Sequence, residues 1–166
     1  MRARLLFLTI SLGAIALAQG CAPVIVAGGA TAAVAATDRR SVGTQLDDQN
    51  IELTARRRIN HDDRLAKGVH VNITSFNGTL LLTGEAATAG QRDIVVSLVD
   101  RLQGVKRVVN EIAVAEPTSL ASRSNDSWIT GQVKTRLLAD EKIPWRQVKV
   151  ITENSVVYLM GLVTQK

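Results

Sequence analysis

Apolar residues recur with two different periods in this chain, and the switch between the periods occurs twice. Ile51, Ala55 and Ile59 fall four apart, as do Ile129, Val133 and Leu137, which puts each trio on one stripe of a helix. Downstream of each stripe the period drops to two. Residues 71–84 (VNITSFNGTLLLTG) read as two strands joined at Asn77-Gly78, a dipeptide suited to the positive φ angles of a tight hairpin turn. Residues 148–161 (VKVITENSVVYLMG) repeat the arrangement: Val71, Ile73, Leu80 and Leu82 match Val148, Val150, Val157 and Leu159, and Gly84 matches Gly161. One face of each hairpin is therefore apolar, and the other is expected to point outward. After the first hairpin, Thr88 and Gln91 have the spacing of a capping box. Ile94, Leu98 and Leu102 then predict a helical stripe ending before Gly104, and residues 105–114 read as a strand. Asn125 and Asp126 are the start signals of the later helix, since either side chain can cap its free backbone N–H groups.

The repeated unit is helix, strand, strand, helix, strand, so the fold class is α+β, built from two αββαβ units. The first covers residues 46–115, residues 116–125 (EPTSLASRSN) form a linker, and the second runs over 126–166. The second reaches Lys166 about where its own second helix would begin. It is accordingly expected to be incomplete, truncated after its first hairpin, and poorly folded for want of that cover.

The N-terminus follows a different logic. Met1 to Arg4 is positively charged, Leu5 to Leu17 is almost uninterruptedly apolar, and small residues follow, which is the layout of a secretory signal peptide over residues 1–20. The apolar run is shorter than the ~20 residues needed to span a bilayer. The single cysteine, Cys21, sits at the expected cleavage point in residues 17–21 (LAQGC), a segment that resembles the lipobox of bacterial lipoproteins although Ala18 stands where Leu is usual. The resemblance implies diacylglycerol on the thiol and an N-acyl chain on the new amine, with no other cofactor. Ala22 in the next position implies, by the sorting rule of such envelopes, an outer-membrane destination. Residues 21–45 are read as a lipidated tether, with the Ala, Gly and Val-rich stretch 22–37 near the lipid surface.

Charge separates the two units. Residues 46–116 hold nine Lys/Arg and ten Asp/Glu, whereas residues 117–166 hold seven and four, so the second unit carries the basic character. For an exported chain the available anions are lipid headgroups and lipopolysaccharide, and each basic residue near such a surface contributes about 1 kcal/mol. Nucleic acid is set aside by export and by the lack of aromatic-basic interleaving. No catalytic constellation or small-molecule site emerges. His61 and His70 are the only histidines; the first falls in a polar loop, the second alternates outward from Val69 and Val71, and both read as surface residues. No cluster has metal-ligand spacing, so no metal site is predicted. Asp47-Asp48 and Asp62-Asp63 read as capping or solvated pairs, and Gly28-Gly29 lacks the residues of a phosphate loop.

The helix of the second unit has two faces. At about 100° per residue, Trp128, Gly131, Thr135 and Leu138 lie almost opposite Ile129, Val133 and Leu137, with Lys134 alongside. Trp128 and Leu138 are assigned to insertion into lipid, Lys134 to its phosphates, and Gly131 and Thr135 to the small residues between them. The same positions of the first helix carry Asn50 and Asn60, so that helix is expected to have no apolar outer face.

The αββαβ repeat with Gly84 and Gly161 ending its strands resembles the BON domain of bacterial envelope proteins. The Cys21 segment, residues 36–48, residues 125–130 (NDSWIT), Glu153-Asn154 and residues 159–164 (LMGLVT) are similar to the two-domain lipoproteins of that family. Ser155 departs from the pattern, standing where a turn glycine is usual. The resemblance implies helices packed on a small mixed sheet in each unit. It also implies a periplasm-facing lipoprotein of the cell outer membrane that supports envelope integrity and binds anionic phospholipid through its second domain. The rival expectation is an adaptor that binds envelope proteins such as the outer-membrane assembly machinery, and a hydrolase accessory domain is a distant third.

Overall fold

The computed structural model describes residues 40–140 and 142–162. The segments read as signal peptide, acylated Cys21 and all but the end of the tether lie outside the described residues.

In the first unit, helix α1 (Val42–Asn60) is followed by a short 3-10 turn (Asp63–Leu65), strands β1 (Val69–Phe76) and β2 (Thr79–Ala86), helix α2 (Ala89–Val99) and strand β3 (Arg107–Val114). The helix starts earlier than its apolar stripe, inside the stretch assigned to the tether. The Ser41 hydroxyl accepts from the Thr44 N–H at 3.1 Å and supplies a cap. Strands β1 and β2 pair antiparallel through the Asn77-Gly78 turn, with Ile73 opposite Leu82 and Val71 opposite Gly84. Strand β3 adds to β2 in parallel, the α2 crossover making that possible, so the sheet is mixed with order β1-β2-β3. Helices α1 and α2 cover one face, and Ile51, Ala55 and Ile59 meet Ile73, Leu80 and Leu82 in the core as their spacing predicts.

The buried stripe of α2 is displaced from the predicted one. Val95 and Val99 are buried, Ile94 and Leu98 lie half-buried beside them, and Leu102 is buried from the loop beyond the helix. The later turns of α2 offer adjacent apolar residues, Ile94-Val95-Val96 and Leu98-Val99, so packing against β2 and β3 chooses the phase. Thr88 caps the helix as expected, but the Gln91 amide, instead of closing the box, donates to the Lys67 carbonyl at 2.8 Å.

The described second unit comprises helix α3 (Leu120–Ala139), a 3-10 turn (Trp145–Gln147) and strands β4 (Val148–Glu153) and β5 (Val156–Gly161), paired antiparallel. Helix α3 begins inside the stretch read as linker. Ser119 caps it, and Asn125 and Asp126, taken as start signals, sit within the helix. Serine-rich sequence reads as linker, but a segment capped by its own hydroxyl can still continue a helix.

The outward-pointing face of the first hairpin is not free. Leu81, Thr83 and Glu85 of β2 are all buried, although alternation assigns them to solvent. They meet the second unit, where Glu153 accepts from Asn72 at 2.6 Å and from Thr83 at 3.2 Å. Lys149 bonds Glu52 at 3.0 Å beside them.

Candidate functional site

Helix α3 packs on β4 with the face carrying Ile129, Val133 and Leu137, all partly buried. The opposite face is open. Trp128 is 64% exposed and Leu138 56%, while Gly131, Lys134 and Thr135 are also exposed. A Cβ added at Gly131 would meet nothing within 4 Å. The Thr135 hydroxyl donates to the Gly131 carbonyl at 2.9 Å, so its polar atom is turned into its own helix. The described residues thus place all five positions on one solvent-facing surface.

Two residues join this surface that helical spacing does not reveal. Trp145 lies in the turn after α3 and borders a recess of about 470 Å³ with Leu138, Ile143 and Pro144. A neighbouring recess of about 230 Å³ brings Trp145 and Arg146 next to Lys134. The Arg146 guanidinium lies over the Trp145 ring at 5.1 Å from its centroid. An indole backed by cations is a surface that accepts an apolar chain and an anionic head together. The available sequence signal was the pair Trp145-Arg146, which lies outside any helical period.

The first helix departs from expectation. It does carry an exposed apolar row, Val42, Leu46 and Leu53, which is in line with Asn60 and turned away from Asn50. Both tryptophans of the chain lie in the second unit, and the recess of about 530 Å³ beside α1 is lined by Asp47, Asn50, Ile51, Thr54 and Arg58, not by the residues of this row.

Two acidic residues read as capping or solvated turn out to organise the hairpins. Asp48 is buried and accepts from the Gly78 N–H (2.9 Å), the Asn77 N–H (2.8 Å), the Ser75 hydroxyl (2.7 Å) and Arg40 (2.7 Å). Asp126 accepts from the Asn154 and Ser155 N–H groups at 2.9 and 2.8 Å. Burial acts to raise the Asp48 pKa, but the hydrogen bonds from Gly78, Ser75, Asn77 and Arg40 outweigh it and hold the carboxyl below its ordinary value.

His70 also differs from its reading as a surface residue. It is partly buried, and a ring nitrogen lies within 4.8 Å of a carboxylate oxygen each from Glu85 and Glu153, which are themselves that close. These residues are far apart in sequence, so no spacing rule finds them.

No helix among the described residues is long and apolar enough to cross a membrane. The profile of the BON domain matches residues 47–116 and 125–166. The chain is 40% identical over 158 residues to the outer membrane lipoprotein DolP of Haemophilus influenzae, an alignment covering 95% of this chain and 82% of that protein. It is 37% identical to the 21 kDa hemolysin of Actinobacillus pleuropneumoniae, over 75% of this chain and 64% of the other. With the osmotically-inducible protein Y of Escherichia coli it shares 28% identity, over 74% of this chain and 61% of that one. With both predicted units matched and a relative aligned along nearly the whole sequence, the chain belongs to the BON-domain family.

Proposed function

We propose that this chain is an envelope lipoprotein of the cell outer membrane, held by acyl chains on Cys21 and facing the periplasm, that binds anionic phospholipid through the outer face of α3. It acts by binding and not by catalysis. The observation that carries the reading is the pairing of exposed Trp128 and Leu138 on a helix whose other face is occupied by β4. Lys134 and Arg146 flank them, so the apolar residues enter the acyl boundary while the cations meet phosphate. The similarity to an outer membrane lipoprotein supports the location.

Vesicle flotation of the chain from residue 22 onward, which lacks the acyl anchor, tests the surface. Trp128→Ala and Leu138→Glu should each weaken binding to vesicles containing phosphatidylglycerol by about tenfold, the scale set by withdrawing one large apolar side chain from lipid. Asn60→Glu on the first helix should leave binding intact, and melting temperatures should change little throughout. Leu46→Glu separates this face from the exposed row on α1: if it alone abolishes binding, the membrane surface is α1. Indifference of the protein to anionic vesicles would instead favour an adaptor for other envelope proteins.

A further inference from the structure

We propose that His70, Glu85 and Glu153 form a binding site for a divalent cation of the zinc class where the first hairpin meets the second unit. His70 and Glu85 are direct cross-strand partners of β1 and β2, so their side chains leave the sheet on the same face. Glu153, at the end of β4, approaches that face from the other unit. One donor atom from each residue lies within 4.8 Å of the other two.

The burial of the two acids points to a ligand. Glu85 is 1% exposed and Glu153 5%. Glu85 Oε1 accepts from Asn154 at 2.6 Å and from Thr118 at 3.1 Å, which leaves Oε2 buried with no hydrogen-bond partner. Glu153 Oε2 accepts from Asn72 and Thr83 at 2.6 and 3.2 Å. All four donors are neutral amides or hydroxyls. Among the described residues no Lys or Arg forms an ion pair with either acid. Arg123 lines the same cavity as His70 and Glu153; its Nη2 donates to the Thr118 carbonyl and its Nε is buried without a hydrogen-bond partner, while Asp126 is committed to the hairpin turn. Carboxylates withdrawn from water need a positive charge at close range, neither acid has one as an ion-pair partner among the described residues, and Glu85 Oε2 keeps its lone pairs open.

The donor set selects the kind of ion. One imidazole nitrogen with two carboxylate oxygens suits zinc and its neighbours, whereas magnesium and calcium favour oxygen alone. Three protein ligands leave a position for water, and the adjoining cavity of about 250 Å³ has room for it. Bonds of ~2.1 Å bring donor atoms to roughly 3.4 Å of one another, a contraction that rotation of the half-buried His70 ring can supply. The hydrogen bonds from Asn72, Thr83, Asn154 and Thr118 hold the carboxylates in orientation, as outer-shell groups do at metal sites. A cation bound here ties β1 and β2 to β4 and so fastens one unit to the other.

The test uses the full lipidated chain in detergent micelles, stripped with a chelator and titrated with zinc chloride by calorimetry, with melting followed by circular dichroism. One zinc per chain and a raised melting temperature are expected. His70→Gln, Glu85→Gln and Glu153→Gln should each weaken binding by about tenfold or more and remove the thermal shift, while His61→Gln should change neither. The two Glu→Gln variants keep side-chain shape and an acceptor, and metal-free melting of all three variants checks that they fold. If either acid variant is destabilised, His70→Gln decides. Absence of stoichiometric zinc, equal binding by the three variants, or the same thermal shift from magnesium would overturn the site.

Discussion

Asp48 does for the first hairpin what Asp126 does for the second: each reaches from a helix to the two backbone N–H groups of a tight turn. A carboxylate is suited to this because it accepts without donating, and its charge strengthens each bond. Asp48→Asn replaces one acceptor oxygen with an N–H₂ aimed at donors. The loss should be about 3 kcal/mol, read from urea unfolding, because buried N–H groups are left without partners. Its pH dependence has a definite sign. The folded carboxyl titrates below the ordinary carboxylate value, so its stabilisation is complete above pH ~4 and is lost as pH falls through the folded pKa. The gap between wild type and Asp48→Asn should therefore narrow below pH ~4, and a gap constant down to strongly acid pH would remove Asp48 from this role. The residue was legible only in retrospect. Asp48 and Asp126 occupy the same place in the repeat, but a lone acid near a helix start ordinarily reads as a cap.

At the scale of elements, the two hairpins differ at one turn position. Asn77 and Gly78 have φ of 52° and 77°, and Asn154 and Ser155 have 50° and 63°, so both turns need left-handed residues in succession. Glycine meets this without cost, whereas Ser155 carries a Cβ that crowds the backbone. Ser155→Gly should raise stability by about 1 kcal/mol in thermal melts, the exposed 3.3 Å bond from Asn125 being a small loss. The reverse change, Gly78→Ser, should cost more, because its Cβ would lie 2.8 Å from the Gly104 carbonyl oxygen. An unchanged or lowered melting temperature for Ser155→Gly would show that the turn is not strained. Gly84 is required for another reason: at φ 110° its Cβ would fall on the His70 carbonyl, so β2 can approach β1 there only without a side chain.

Across the whole molecule, the second face of the first sheet is interior along β2 and exposed at Glu111 and Ala113 of β3. Leu81 is buried there and shares a groove of about 490 Å³ with Phe76 and with Tyr158, Leu159 and Met160 of β5. A charge at this position tests whether the units are held together by that face. Leu81→Glu should part them while leaving the first core intact, since Leu80 and Leu82 point the other way. The expected signs are a larger radius of gyration by X-ray scattering and faster proteolysis in residues 115–119. A variant with wild-type dimensions and cleavage rate would show that the face contributes little to their packing.

Local regularity carried much of this fold in the sequence itself. The α1 stripe, both hairpins, the Thr88 cap and the αββαβ order follow from side-chain period and turn chemistry, which act between near neighbours and need no tertiary context. The outer face of α3 was legible for the same reason, because Trp128 and Leu138 fall opposite a stripe that a single core can absorb. Choices among locally equivalent states were left to packing. The phase of α2 lay among adjacent apolar residues, and serine-rich residues 119–125 were compatible with both linker and helix. Contacts between remote segments left no local trace at all. Trp145 and Arg146 join Lys134 only through the turn after α3, and His70, Glu85 and Glu153 meet only because the first sheet buries its second face along β2 against β4. A period of two can say that a strand has two faces, but covering the second one depends on another unit of the chain arriving there.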